Sequence, residues 1–232
     1  MKFSDTTRAD QTGEESPFSR GERGASVIEL LIVVSVITIM TAFTLFSMMG
    51  HKQAYKTDDQ TLQIIDVLRA ASLRAVTQRQ TIRVEINLTS NKVMMVDENT
   101  PATVSDDVLI KTLYLEKVAD VKISAQPLNV TALPPAPSNF PVAAFAPSVH
   151  PLSTSNNVCT IRFNRNGTVV NAGTNALGAG VAITSTTLFI WPPQPTDASR
   201  ARTINAVRAI TIFGPTGNIR LWKYNGTGYV LG

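Results

Sequence analysis

The stretch that organises the chain reads Arg20-Gly21-Glu22-Arg23-Gly24-Ala25-Ser26-Val27-Ile28-Glu29, and the twenty residues after it, Leu30–Met49, carry no charge. A predominantly apolar run of this length can cross a bilayer as a helix. One carboxylate, that of Glu29, lies at the entrance to the run. An ionisable group in or beside a membrane span costs free energy and usually has a function, so Glu29 is a candidate functional residue.

Residues 1–24 differ from a secretory signal peptide in the order of their parts. A secretory signal has a short basic start, then an apolar core, then a small-residue cleavage site. Here the polar segment is long, with four basic and five acidic residues, and the small pair Gly24-Ala25 precedes the apolar run. Cleavage at this pair would leave the apolar run on the mature chain. The alternative that composition leaves open is an uncleaved signal anchor.

The residues Gly24-Ala25-Ser26-Val27-Ile28-Glu29, followed by an uncharged run, resemble the prepilin signature of type IV pilins and type II secretion pseudopilins. The resemblance implies that prepilin peptidase removes a cytoplasmic leader, residues 1–24, by cutting after Gly24, and methylates the new amine of Ala25. It also implies that Glu29 is an assembly contact with a neighbouring subunit. The chain departs from the family at Ala25, where phenylalanine is usual, and in lacking a proline within the run.

Charge pairing supports this role for Glu29. A buried carboxylate is tolerated when an opposite charge neutralises it, and the amine of Ala25 in a neighbouring subunit would supply that charge. Arg20 and Arg23, just before the span, favour a cytoplasmic leader. The expected location is therefore a single pass of the inner membrane, with the C-terminal part in the periplasm or in an extracellular filament.

The rest of the chain predicts an α+β, pilin-like fold. Residues 25–50 are expected to form a transmembrane or filament-core helix, which continues as an amphipathic helix over 51–80. Residues 81–232 are expected to form a β-rich globular part with antiparallel strands; with 51–80 they make up the head. The apolar stripe of the second helical part follows three-and-four spacing and is expected to face the core. Its members are Leu62, Ile64, Ile65, Leu68, Ala71, Ser72, Ala75 and Val76.

Alternation with a period of two begins at Thr81 and predicts strands. The expected strands and hairpins cover Thr81–Leu88, Lys92–Val96, Val108–Leu115, Val118–Ile123, Thr160–Phe163, Thr168–Asn171, Val181–Trp191, Ala206–Phe213 and Asn218–Tyr224. Residues 126–157 hold seven of the 13 prolines, which block helix and central strand alike. This proline-rich insertion is expected to be an extended surface segment with a short helical turn near Val142–Phe145.

The head further resembles the H-type pseudopilin and minor-pilin branch. This resemblance rests on the helix end near Arg69–Gln80, on Ile161-Arg162-Phe163 followed by Gly167, and on Gly217-Asn218-Ile219-Arg220 in the closing hairpin. Some minor pilins of this branch bind DNA through a C-terminal Gly-Arg-x-Arg element. Here the first arginine of that element is missing.

Motifs for catalysis are lacking, and we expect no enzyme activity, no metal and no cofactor. His51 and His150 stand in no metal-ligand spacing. Cys159 is the single cysteine, so no internal disulfide forms, and burial is expected for it. The pair Asp58-Asp59 is expected to be solvated on a helix surface.

The C-terminal part is basic, and this suggests a second function class. From Thr160 to Gly232 there are seven basic residues and one acidic residue. Basic groups beside exposed aromatic rings can hold a nucleic-acid backbone and stack bases. The candidate residues are Arg208, Arg220, Trp222 and Lys223.

Three functions follow, from different classes. The first is a structural subunit, a minor pilin or pseudopilin that acts in filament assembly or priming and in protein secretion, with other pilin subunits, prepilin peptidase and the inner membrane as partners. The second is a DNA-binding minor pilin for DNA uptake. The third is a membrane-tethered binding domain outside any filament.

Overall fold

The computed structural model describes residues 26–100, 103, 105–170 and 182–232, with the backbone alone for 45–54. It has an α+β fold with an N-terminal apolar helix and antiparallel sheets. The chain divides into two compact units, Met1–Phe46 and Ser47–Gly232. The leader 1–24, including the predicted cleavage site, lies outside the described residues.

Helix α1 spans Val27–Gln78, close to the 25–80 predicted. Within the first unit its window Val27–Thr44 is apolar and long enough to cross a membrane, and none of it is buried within the chain. Its few polar side chains bond back to the helix, since the hydroxyls of Ser35 and Thr38 donate to the carbonyls of Ile32 and Val34. Such bonds satisfy the hydroxyl groups locally and leave the helix surface apolar.

In the second unit, α1 contributes one face to the main hydrophobic core. The buried residues of this face are Ile64, Ile65, Val67, Leu68, Ala71 and Ala75. The prediction was wrong for Leu62 and Val76, which are 52% and 48% exposed. At 100° per residue, Val76 lies at the margin of the stripe and Leu62 lies at its back. The apolar stripe predicted from sequence was therefore too wide.

Eleven strands make up two sheets among the described residues. In chain order they are β1 Thr81–Asn87, β2 Lys92–Glu98, β3 Val108–Tyr114, β4 Lys122–Ser124, β5 Ala146–Pro147, β6 Asn157–Phe163, β7 Val169–Val170, β8 Thr186–Trp191, β9 Arg208–Phe213, β10 Asn218–Tyr224 and β11 Tyr229–Leu231. The first sheet has the order β3-β2-β1-β6-β5, with β7 also paired to β6, and the second has the order β11-β10-β9-β8-β4.

The first sheet has an apolar face toward the main core and an outer face that carries charged side chains. Directly opposite residues share a face, and Val84 pairs with Met95 on one side and Ile161 on the other, all three within the main core. The alternate residues of β1, among them Arg83 and Glu85, point to the outer face. They are fully buried too, so the sheet is covered on both sides.

The second sheet is likewise packed on both faces. Ile210 and Leu221 belong to the main core that α1 shares. Trp191, Trp222 and Tyr229 belong to a separate cluster, which Val130 of the proline-rich insertion joins. Strand β11, which the sequence did not predict, pairs with β10 and brings Tyr229 into this cluster.

The proline-rich insertion is more integrated than predicted. Val142 forms a parallel bridge with Thr187, and the Ala143 N–H donates to the Thr187 carbonyl. The predicted helical turn at 142–145 is therefore wrong, because these residues extend to bond with β8. The predicted strand at 118–123 is also shorter: the N–H groups of Asp120 and Val121 donate to the Lys117 carbonyl in a turn, and β4 begins only at Lys122.

Two glycine turns meet beside the end of α1. Gly217 has φ of +64°, and a Cβ there would lie 2.6 Å from the carbonyl oxygen of Gly167, whose own φ is +84°. Only glycine meets both demands without strain. These are the glycines on which the branch resemblance drew, and their close approach fixes the β9–β10 hairpin against the turn after β6.

Candidate functional site

Glu29 occupies the first turn of α1, at the start of the apolar helix. The backbone N–H groups of Glu29 and Leu30 both donate to the Ser26 carbonyl, so Ser26 begins the helix. The Glu29 residue is exposed. A carboxylate in this turn is favoured by the helix dipole, and Ser followed by Glu at this spacing also suits a helix cap. A capping role and an assembly role therefore both fit, and a variant must separate them. Gly24 and Ala25 lie outside the described residues.

The structure does not gather Arg208, Arg220, Trp222 and Lys223 into one surface. Arg208 is 7% exposed, and its Nε donates to Asp58 Oδ1 at 2.5 Å. Its Nη1 donates to the carbonyls of Asn205 and Val207. The guanidinium is thus occupied within the fold, and Asp58, expected to be solvated, is its ion-pair partner.

The other three candidates lie on two faces of β10. Trp222 is 7% exposed, and its Nε1 donates to Thr211 Oγ1 at 2.9 Å, so the ring is not free to stack on a base. Arg220 and Lys223 are exposed, but their odd spacing places them on opposite faces. DNA binding stays a prediction, and of its four residues only this separated pair is accessible.

Neutralising Arg208 should destabilise the fold, whereas neutralising Arg220 should not. We expect Arg208→Gln to lower the free energy of unfolding by about 1–3 kcal/mol, since it removes charge-assisted hydrogen bonds at a largely buried site. The matched variant Arg220→Gln should stay within about 0.5 kcal/mol of the parent. Chemical denaturation of the full chain in detergent measures both, and equal values would contradict the assigned role of Arg208.

A buried ionic cluster occupies the outer face of the first sheet. We define it as Arg83, Glu85, Glu98, Asp107 and Arg162. Arg162 Nε donates to Glu98 Oε2 at 2.7 Å, and Arg83 bonds the other oxygen, Glu98 Oε1. Arg83 also reaches Glu85 Oε1 at 2.6 Å and Asp107 Oδ2 at 2.9 Å. Glu98 therefore joins both arginines.

The proline-rich insertion brings His150 to this ionic cluster. The side chain is buried, and its Nδ1 has no hydrogen-bond partner. Burial is the main cause that lowers the pKa of His150 from 6.5 to about 4; the nearby charges of Arg83 and Arg162 lower it further, and that of Glu98 opposes them. The imidazole is therefore neutral near pH 7, as a site beside two guanidiniums requires.

Sequence reasoning missed the ionic cluster, although one signal was present. The alternation of Arg83, Glu85 and Asn87 correctly set these residues on one face. A polar face usually meets water in an antiparallel sheet, whereas this one is buried. The available signal was the alternation of acidic and basic residues on one strand, with Arg162 on another predicted strand. Such residues can form ion pairs inside the fold.

Other reactive groups are few in the described part of the chain. Cys159 is buried, and burial raises the pKa of its thiol to about 12, so thiolate chemistry is disfavoured. Across residues 26–100, 103, 105–170 and 182–232, no group of three or more His, Cys, Asp or Glu side chains could hold a metal ion.

No family model, curated protein or solved structure matches the chain.

Proposed function

We propose that this protein is a prepilin whose mature form is a minor pilin or pseudopilin, a structural subunit of a type IV pilus or type II secretion pseudopilus. The observation that carries the proposal is the apolar, wholly exposed helix window Val27–Thr44 with one carboxylate, Glu29, in the helix's first turn. A surface this apolar needs a cover. Lipid supplies it before assembly, and the corresponding helices of other subunits supply it in a filament.

The second unit supports the same function. The later part of α1 contributes buried residues to the core that both sheets share, so one element supplies the apolar segment and the spine of the head. The head is proposed to lie on the periplasmic side and to prime or cap the filament. Neither the ionic cluster nor the exposed pair Arg220 and Lys223 supplies a nucleophile with an activating base, and the proposed role is assembly rather than catalysis.

The leader proposal predicts that Gly24 decides processing. Gly24→Leu should leave the chain uncut. A peptidase site that accepts glycine before the cleaved bond has no room for the bulky side chain of leucine. Mass spectrometry of membrane fractions measures the mass of the chain, which still includes residues 1–24 if no cleavage occurs. The matched variant Gly21→Leu should be processed like the parent. Appearance of the mature mass in the Gly24 variant would refute cleavage at this site.

The assembly proposal predicts that Glu29 acts through its charge. Glu29→Gln keeps a side chain that can cap the helix, whereas Glu29→Ala removes both capping and charge. We expect both variants to be cleaved and inserted, and both to be lost from the filament fraction, because neither can neutralise an amine of a neighbouring subunit. Incorporation of Glu29→Gln at the parent's level would show that Glu29 serves only the helix start.

Crosslinking in cells separates the filament proposal from a tethered binding domain. A photoreactive residue in place of Ile37, in the exposed apolar window, should crosslink to other pilin subunits when they are co-produced. A probe at Leu128, which is 69% exposed in the head, serves as the comparison site. Crosslinks to lipid alone from Ile37 would favour the tethered domain.

A further inference from the structure

We propose that a cavity at the C-terminal end of α1 binds an acidic sugar, through a carboxylate or phosphate group carried on a hydroxylated body. The cavity has a volume of about 510 Å³. Two arginines, three asparagines, Gln80 and Thr81 line it. It lies wholly within the second unit, and the proposal does not depend on filament assembly.

The cavity presents hydrogen-bond donors without matching acids. The guanidiniums of Arg79 and Arg165 are exposed and form no ion pair or hydrogen bond within the described part of the chain, and no acidic residue lines the cavity. Asn166 Oδ1 accepts from the N–H and the hydroxyl of Thr168, which leaves the amide hydrogens of Asn166 for another acceptor. Two guanidiniums and an amide are suited to an oxyanion, because guanidinium pairs in a planar fork with carboxylate or phosphate oxygens.

The lining also restricts the rest of the ligand. None of the seven lining residues is apolar or aromatic, so the cavity offers no hydrophobic side chain for an acyl chain and no aromatic ring on which a nucleobase could stack. The volume exceeds what a bare phosphate ion fills. Gln80 Nε2 donates to Asn99 Oδ1, and Asn99 Nδ2 donates to the Asp106 carbonyl. Asn164 Nδ2 donates to Thr168 Oγ1. The oxygens Gln80 Oε1 and Asn164 Oδ1 are left beside the arginines as acceptors for hydroxyl groups. A hydroxylated body bearing one oxyanion group meets both conditions.

The backbone of Arg79 is a separate indication. Arg79 follows the last residue of α1 and has φ of +55°, the left-handed conformation that closes many helices. The Gln80 N–H donates to the Ala75 carbonyl at 3.2 Å, which is the bond of this closing motif. Glycine is the usual residue there, and an arginine is strained. The position that glycine would occupy without strain thus carries one of the two guanidiniums of the cavity.

The test is calorimetric titration of the full chain in detergent micelles. The probes are glucuronate, glucose 6-phosphate, neutral glucose and inorganic phosphate. At least one of the charged sugars should bind, and the better of the two identifies carboxylate or phosphate as the natural group. Glucose and inorganic phosphate should each bind at least tenfold more weakly than that sugar.

Variants then assign the binding to the cavity. Arg165→Gln and Arg79→Gly should each weaken binding of that sugar at least tenfold. Arg79→Gly also relieves the strained backbone, so its melting temperature should equal or exceed that of the parent. Arg69→Gln is the matched control, because Arg69 is exposed on the same helix and outside the cavity, and it should bind as the parent does.

Several results would overturn the proposal. These are no binding of either charged sugar, glucose binding as tightly as they do, or inorganic phosphate binding as tightly as glucose 6-phosphate. Parent-like binding by Arg79→Gly and Arg165→Gln would also refute the site. Equal weakening by Arg69→Gln would show a general charge effect instead of a cavity.

Discussion

Glu98→Ala should lower the free energy of unfolding by about 3–5 kcal/mol, the largest stability effect that we expect from a single substitution in this chain. Glu98 is 1% exposed and is the only acid of the ionic cluster that bonds both Arg83 and Arg162. Its removal leaves two buried guanidiniums with fewer counter-charges, and an unpaired buried charge is costly. Since folded domains are stable by about 5–15 kcal/mol, a loss of this size removes a large part of the free energy of unfolding.

Chemical denaturation of the full chain in detergent measures this loss through the two tryptophans. Trp191 and Trp222 are both buried and lie in the second sheet, so their fluorescence reports global unfolding of the head. The control is Glu116→Ala, which removes a carboxylate from a half-exposed pair with Lys56. Lys56 keeps Asp120 as a partner at 2.8 Å, and surface pairs are worth about 1 kcal/mol or less. If Glu98→Ala and Glu116→Ala lowered the free energy of unfolding by similar amounts, burial would not be the reason for the large effect at Glu98.

Acidification should weaken the fold between about pH 6.5 and pH 4, through His150. The pKa of His150 is lowered to about 4 in the folded state, so between the two values the unfolded chain binds more protons than the folded chain. Stability from this group is therefore complete above pH 6.5 and is lost as the pH falls towards 4. A shift of this size corresponds to about 3 kcal/mol in the free energy of unfolding.

The variant His150→Gln isolates this effect, because glutamine does not titrate. We expect its free energy of unfolding to change less than that of the parent over the same window, so that the two curves converge as the pH falls. Burial raises the pKa values of Asp97 and Asp107, which favours the folded state as acid protonates them and so acts in the opposite direction. Both aspartates are present in the two proteins and cancel in the difference. Parallel curves would refute the role of His150.

Local patterns in the sequence were enough to predict most of the elements. The charge-free run after Glu29 and the three-and-four spacing behind it predicted one helix, observed at Val27–Gln78. The change to period two at Thr81 predicted the β1–β2 hairpin. These features depend on residues within a few positions of one another, which is the range over which helix and strand patterns act.

Non-local contacts decided the rest. Glu98 and Arg162 are 64 positions apart, and they meet because β1 pairs with β2 on one side and with β6 on the other. Extended residues of the proline-rich insertion bond to β8 where a helical turn was expected, since main-chain groups that leave water must find partners. The basic residues near the C-terminus could be counted from sequence, but strand β10 separates Arg220 from Lys223, and Asp58 on α1 occupies Arg208.

The sequence by itself determined the apolar helix, the single acid in its first turn and the strand-rich region that follows, because each is a property of neighbouring residues. Only the tertiary structure decided which polar groups are free to act. Pairing of β1, β2 and β6 brought together charged residues from distant parts of the chain, and these residues are buried in the fold. The end of α1 at Arg79 places the Arg79 guanidinium in the same cavity as that of Arg165, which lies in the turn after β6. Glu29 remains the acid at the start of an exposed apolar helix, and its proposed partner is the amine of a neighbouring subunit.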